Sequence, residues 1–152
     1  MQRHWILKSF SELTTDELYA LLRLRNEVFI VEQNCPFPDL DGKDQHCYHL
    51  LGFDGEKGAL LAYTRLVPPE LAYEYPSIGR VATSVEARGM GVGRELMHRS
   101  ISEITQLYGP CTMQIGAQEY LRDFYESFGF LQSGEGYLED GIAHIPMLRQ
   151  PR

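Results

Sequence analysis

No apolar run in the sequence is long enough to span a bilayer; stretches such as "GALLAY" at 58–63 are among its longest. The opening "MQRHWILKSF" has neither a long apolar segment nor a small-residue cleavage site, so the chain reads as cytoplasmic and not membrane-bound. Cysteine is scarce. Cys35, Cys47 and Cys111 form no CxxC pair, and an odd number of scattered thiols points to reduced side chains. Basic charge is also short: 14 Lys and Arg against 21 Asp and Glu leave a net charge of −7. That sign works against a nucleic-acid partner, which needs a basic surface, and suits a cationic or amine-bearing one. Repeats, low-complexity tracts and linkers are lacking, so residues 1–152 are expected to form one domain.

What is present is an ordinary globular composition, 43% hydrophobic and 11% aromatic. His4 to Phe10 alternates as a strand does. Thr14 to Glu17 is a capping box, and Leu18, Leu21, Leu22, Arg25, Val28 and Phe29 then share one helical stripe, apolar except for Arg25. "HCYHLLGF" and "GALLAYTRLV" read as strands joined by a hairpin signal at Asp54-Gly55, and "SIGRVATS" as another strand. Met97, Ile101, Ile104 and Tyr108 continue at helical spacing until Gly109-Pro110. "CTMQIGA" is expected to be a short buried strand. Ala117, Tyr120, Leu121, Phe124 and Phe128 predict a further helix ended by Gly129, and residues 130–148 a terminal hairpin. The order predicts an α/β (mixed α+β) fold, antiparallel in its first half, with a β–α–β unit in its second.

Between strand and helix lies "VEARGMGVGREL", residues 85–96, with glycines at 89, 91 and 93 and arginines at 88 and 94. A helix start offers unpaired N–H groups and a positive dipole end, and glycine lets a ligand approach the backbone. An anion is therefore expected here. A Walker loop is excluded, because no lysine lies near the turn. A dinucleotide fingerprint also fails: counting G-x-G-x-x-G from Gly89 puts Arg94 at the third glycine, and counting from Gly91 puts Leu96 there.

Arg88-Gly89-Met90-Gly91-Val92-Gly93 matches the [Q/R]-x-x-G-x-[G/A] signature of the GNAT N-acetyltransferase superfamily. With "LRNEVFIVEQNCPFPDLDGKDQHCYHL", "IGRVATS" and "AQEYLRDFYESFGF" in the same order, the chain resembles the ElaA-type branch from its first helix to Phe130. The resemblance implies the acyl-CoA N-acyltransferase (GNAT) fold, a mixed, mostly antiparallel central sheet with splayed strands flanked by helices. It implies acetyl-CoA as co-substrate, with Val81, Ala82 and Thr83 pairing the pantetheine arm and the amides of Arg88 to Arg94 cradling the pyrophosphate. No metal is implied. A homodimer is an assembly frequent in such a family.

The resemblance also implies that Tyr125 protonates the departing thiolate; on the residues alone, Tyr120, Phe124, Tyr125 and Phe128 read equally as core packing. The amine must lose a proton to attack. Glu32, Asp41, His49 and a water chain are the candidates, and no spacing chooses among them. Arg25, Glu27 and Glu32 interrupt an apolar pattern and are expected either to line the acceptor cleft or to form ion pairs; Arg25 needs a partner if buried. A similar Arg-x-x-Val-Phe pattern occurs in acyl-homoserine lactone synthases, for which this chain is too short.

Two cation motifs fail. "DLDGKD" resembles part of a calcium loop, but Gly42 in sixth place puts Phe37 first and Tyr48 twelfth. Strand alternation would turn His46 away from Cys47 and His49, which spoils a zinc site, and Cys111 reads as a core residue. The expected function is acetyl transfer from acetyl-CoA to a primary amine within a ternary complex, the acceptor being a small amine or a peptide or protein amine. The alternative is a non-catalytic coenzyme A sensor with the same pocket.

Overall fold

A computed structural model describes residues 2–152. The chain opens with β1 (Arg3–Ser9), which pairs antiparallel with β2 (Tyr48–Asp54); β2 pairs with β3 (Leu60–Val67), and β3 with β4 (Ser77–Thr83). Every connection in this half reverses direction, so the ladder is antiparallel throughout. Asp54-Gly55 does start the β2–β3 turn, but as a five-residue loop at 55–59 closed by Asp54 N–H donating to Ala59 O at 2.9 Å.

Helix α1 (Thr15–Arg25) starts at the expected box: Glu17 N–H donates to Thr14 Oγ1 at 3.1 Å, and Thr14 N–H donates to Glu17 Oε1 at 2.8 Å. Such a cap is worth about 1 kcal/mol. After Arg25 the helix widens into a π-helical turn, Asn26–Glu32, whose Val28, Phe29, Ile30 and Glu32 all reach the cavity described below. Leu21, Leu24 and Val28 pack on Leu51, Tyr63 and Ala82, so α1 covers one face of the first sheet. Helix α2 (Val92–Tyr108) covers the other, through Val92 and Leu96 on Leu50, Leu61 and Ala62.

The second half departs from its expected outline. Strand β5 (Met113–Gln118) keeps Ala117, which the helical spacing had assigned to a helix. Ala117 packs as a strand residue with Ile115 and Ile145, and only a 3₁₀ turn (Glu119–Leu121) and the short α3 (Arg122–Glu126) follow it. The terminal hairpin is three strands: β6 (Phe130–Gln132) and β7 (Tyr137–Glu139) both pair with the long β8 (Ile142–Arg149), which pairs with β5 on its other edge. Cys111 precedes β5 and is half-buried, not a core strand residue. His46 belongs to a 3₁₀ turn (Asp44–His46) before β2, so strand alternation does not govern it.

β4, α2 and β5 form the expected β–α–β unit, but the two strands share no ladder. They touch at their starts, where Gln114 N–H donates to Pro76 O at 3.0 Å, and β4 then pairs only with β3 while β5 pairs only with β8. Two four-stranded sheets thus meet at a V between β4 and β5. No helix among the described residues is long and apolar enough to cross a membrane.

Candidate active site

The gap of the V is a cavity of about 970 Å³, the upper end of what small-molecule sites usually need. Its wall on the β4 side is irregular. Tyr63 pairs with Ala82 and Arg65 with Gly79, so Thr64 alone faces Arg80 and Val81. Arg80 sits at φ 51, the left-handed region, which a side chain other than glycine enters only at some cost. The bulge takes the Arg80–Val81 backbone out of regular pairing where both residues line the cavity.

The glycine turn stands where β4 hands over to α2. Gly89 and Gly91 adopt φ +83 and +76, and a Cβ built on either would meet nothing within 4 Å. The conformation favours glycine, and open space lies in front of it. None of the amides from Gly89 to Arg94 finds a backbone acceptor among the described residues; pairing resumes with Glu95 N–H on Gly91 O at 3.2 Å. These groups suit a diphosphate. From outside, Arg3 fixes the turn by donating to Met90 O at 2.7 Å and to Glu95 Oε1 at 2.6 Å.

Of the residues expected at the cofactor end, Val81, Thr83, Arg88 and Gly93 line the cavity. Gly89, Met90, Gly91 and Arg94 flank it without lining it, while Ala82 and Val92 are buried against α1 and the first sheet. Arg88 spans the mouth of the V. Its guanidinium holds the Glu32 carboxylate in a two-pronged pair, one prong at 2.7 Å, and donates to Thr83 O at 3.1 Å. Arg94 lies over the Phe128 ring at 4.7 Å and donates to Ser127 Oγ. Tyr125 is 6% exposed and also lines the cavity; burial, aided by Tyr120, pushes its phenol well above the usual range, so it stays protonated.

The acceptor-side expectations divide. Glu32 and Asp41 line the cavity; Arg25 and His49, both 0% exposed, do not. Arg25 faces inward with the rest of its stripe and takes the ion-pair alternative: Nε donates to Asp39 Oδ2 at 2.7 Å and Nη1 to Asp44 Oδ1 at 2.8 Å. Arg65 holds Asp41 through two bonds of 2.8 and 2.9 Å and also reaches Asp44. Arg80 Nε lies 2.7 Å from Asp39 Oδ1 but off the hydrogen-bonding direction, and Nη2 donates to Asp39 O at 2.9 Å. The "DLDGKD" stretch, for all its likeness to part of a calcium loop, binds guanidinium groups.

This pairing settles proton chemistry as well. Burial alone would raise the Asp41 carboxyl, but bonds from Arg65 and the Lys43 amide, with the charges of Arg65 and Arg80, hold it well below the usual carboxylate range. The hydrogen bond from Arg88 lowers Glu32 likewise. His49 is held low by desolvation; its Nε2–H donates to Asp44 O at 2.9 Å and its Nδ1 accepts from Tyr63 OH at 2.7 Å. Both nitrogens are occupied. Burial pushes the Cys47 thiol to about 11, and it donates to Lys43 O at 3.2 Å, a poor start for a metal ligand.

Several cavity residues had no sequence signal: Arg65 and Arg80 on the strands, Tyr73 in the loop after β3, Gly116 on β5, and Glu139 and His144 on the β7–β8 hairpin. They come from segments distant in the chain, and only the V brings them together.

A family model described as an acetyltransferase (GNAT) domain matches residues 46–150. The chain belongs to the GNAT acetyltransferase family. Within that family it falls in the ElaA-type branch: ElaA of Escherichia coli is 44% identical over 92% of each chain. The crystal structure of that protein overlays with a TM-score of 0.89 at 41% identity, covering 98% of this chain and 100% of that one. An acyl-CoA N-acyltransferase from Pseudomonas aeruginosa overlays at 0.91 with 42% identity, covering 97% and 99%. The GNAT fold explains the V, and the family makes the chain an acyl-CoA-dependent N-acyltransferase by class.

Proposed function

We propose that the chain transfers an acetyl group from acetyl-CoA to a primary amine by direct attack within a ternary complex. The observation that carries this reading is the open V beside the glycine turn, with Tyr125 in the gap. The pyrophosphate is assigned to the unpaired amides of Gly89 to Arg94, with Arg88 and Arg94 beside them. The pantetheine amides are assigned to the strand backbone at Val81, Ala82 and Thr83, which lost its neighbour when β4 left β5.

The chemistry follows from that seating. The amine nitrogen forms a bond to the thioester carbon, charge develops on the carbonyl oxygen, and the bulged Arg80–Val81 backbone, out of regular pairing beside the cavity, is assigned to receive it. The carbon–sulfur bond then breaks and Tyr125 gives its proton to sulfur, the phenol being protonated in its buried site.

Calorimetry and thermal shift with acetyl-CoA test the pocket, since a ligand bound only by the folded state raises its stability, by about 2.7 kcal/mol at a hundredfold excess over Kd. A screen of amines that follows free thiol release tests the reaction. Tyr125→Phe is expected to lower kcat by about 10²–10⁴-fold with the coenzyme Kd unchanged. Tight binding with no turnover for any amine would favour the sensor reading.

A further inference from the structure

The acyl-transfer reading leaves the acceptor amine's proton without a destination, because Asp41, Glu32 and His49 are each taken up by other groups. His144 is the only histidine lining the cavity among the described residues. It stands on β8 opposite Tyr137 of β7 and Gln118 of β5. The residue is 7% exposed and its ring is stacked on Tyr137, with centroids 5.7 Å apart and planes at 20°.

Its nitrogens are not equivalent. Nδ1 lies 2.7 Å from Ile142 O. A carbonyl only accepts, so Nδ1 carries the hydrogen and the neutral ring keeps its lone pair on Nε2. Nε2 lies 3.7 Å from Glu139 Oε2, too far for a hydrogen bond, so its lone pair is not taken up by that carboxylate. This is the arrangement of a base with a fixed tautomer and a waiting counter-ion.

A glycine on β5 makes room for two phenols near the ring. A Cβ on Gly116 would fall 2.4 Å from Tyr137 OH and 3.0 Å from Tyr73 OH. Glycine at this point of β5 therefore makes room for two phenols, of which Tyr73 lines the V, two residues beyond Gln114, where the strands part. Burial, Tyr73 and Glu139 push Tyr137 up to about 12, and burial and Glu139 raise Tyr73, so both remain hydrogen-bond donors.

We propose that His144, through Nε2, takes the proton from the acceptor ammonium, with Glu139 balancing the imidazolium and Tyr137 holding the ring plane. The step balances. The ammonium N–H breaks and its proton joins Nε2; the freed lone pair makes the C–N bond as the C–S bond breaks, the sulfur takes its proton from Tyr125, and the second proton that the acylated nitrogen sheds returns to the Tyr125 phenolate. The proposal rests on the acyl-transfer reading.

Side-chain ¹⁵N resonances of the wild-type protein at pH 8 test it without any acceptor. The Nδ1–H tautomer is expected at His144, and an Nε2–H tautomer would overturn the proposal. With acetyl-CoA and the primary alkylamine that the screen turns over fastest, His144→Gln is expected to lose about 10²–10⁴-fold in kcat/KM and the acid limb of its pH profile. The same variant should keep most of its turnover with hydroxylamine, whose nitrogen is already neutral at pH 7. Glu139 is 63% exposed at its side chain, so Glu139→Gln is a mild change. It should lower kcat/KM less than His144→Gln does, because Glu139 only balances charge beside the ring. Wild-type rates in His144→Gln, with its acid limb kept, would sink the role of His144. Failure of every amine with wild-type protein would instead strike the acyl-transfer reading, with the tautomer still deciding for His144.

Discussion

The two ends of the cavity are made of different materials. The end assigned to coenzyme A is backbone: two left-handed glycines, the unpaired amides that follow, and a strand edge freed by the splay of β4 from β5. The acceptor end is side chains: Arg25, Arg65 and Arg80 locked to Asp39, Asp41 and Asp44, and Tyr73, Glu139 and His144 on the opposite rim, with Tyr137 stacked behind His144. A diphosphate and a chain of amides look the same in every coenzyme A, so a backbone cradle can serve any acceptor chemistry. Recognition of one amine needs particular groups held in particular places, and the buried ion pairs supply the rigidity.

That contrast can be broken from the side-chain end first. Asp44 bonds both Arg25 and Arg65 from a buried position. Asp44→Ala leaves a fully buried guanidinium short of a partner and is expected to destabilise the fold by about 3–5 kcal/mol, measured by urea unfolding. Coenzyme A binding by whatever protein remains folded should be retained, because the cluster touches none of the glycine turn. Equal damage to binding and folding would show that the two ends are not independent.

The backbone end gives the smaller effect on stability and the larger one on the cofactor. Gly91→Val puts a branched side chain at φ +76, a cost of about 1–2 kcal/mol for the left-handed conformation. The new methyls point into the open space in front of the turn, so the acetyl-CoA Kd is expected to rise at least tenfold by calorimetry. A loss of stability without weaker binding would make the glycines purely structural.

Legibility in the sequence follows the same division. Glycine at 89 and 91 leaves a mark because only that residue tolerates the conformation, so the cofactor end was readable together with the strand before it and the helix after it. Thr14 and Glu17 marked the start of α1 for a similar reason: a cap is a local contact. His144 left no mark. It sits in an alternating strand, and Tyr137, on which it stacks, with the Tyr73 and Gly116 that meet around the Tyr137 hydroxyl, come from three other segments. Arg25 was conspicuous inside an apolar stripe, yet whether it met substrate or aspartate depended on a loop fourteen and nineteen residues away. Ala117 misled because an alanine fits a helix face as well as a strand, and pairing with β8 decided it.

Amide hydrogen exchange of the wild-type protein, with and without acetyl-CoA, tests the central claim most directly. Slower exchange is expected along Val81 to Thr83, where the splay leaves one edge of β4 without a strand, and at Gly89 to Arg94 at the helix start. Unchanged exchange at those residues, or protection confined to another part of the chain, would contradict the account.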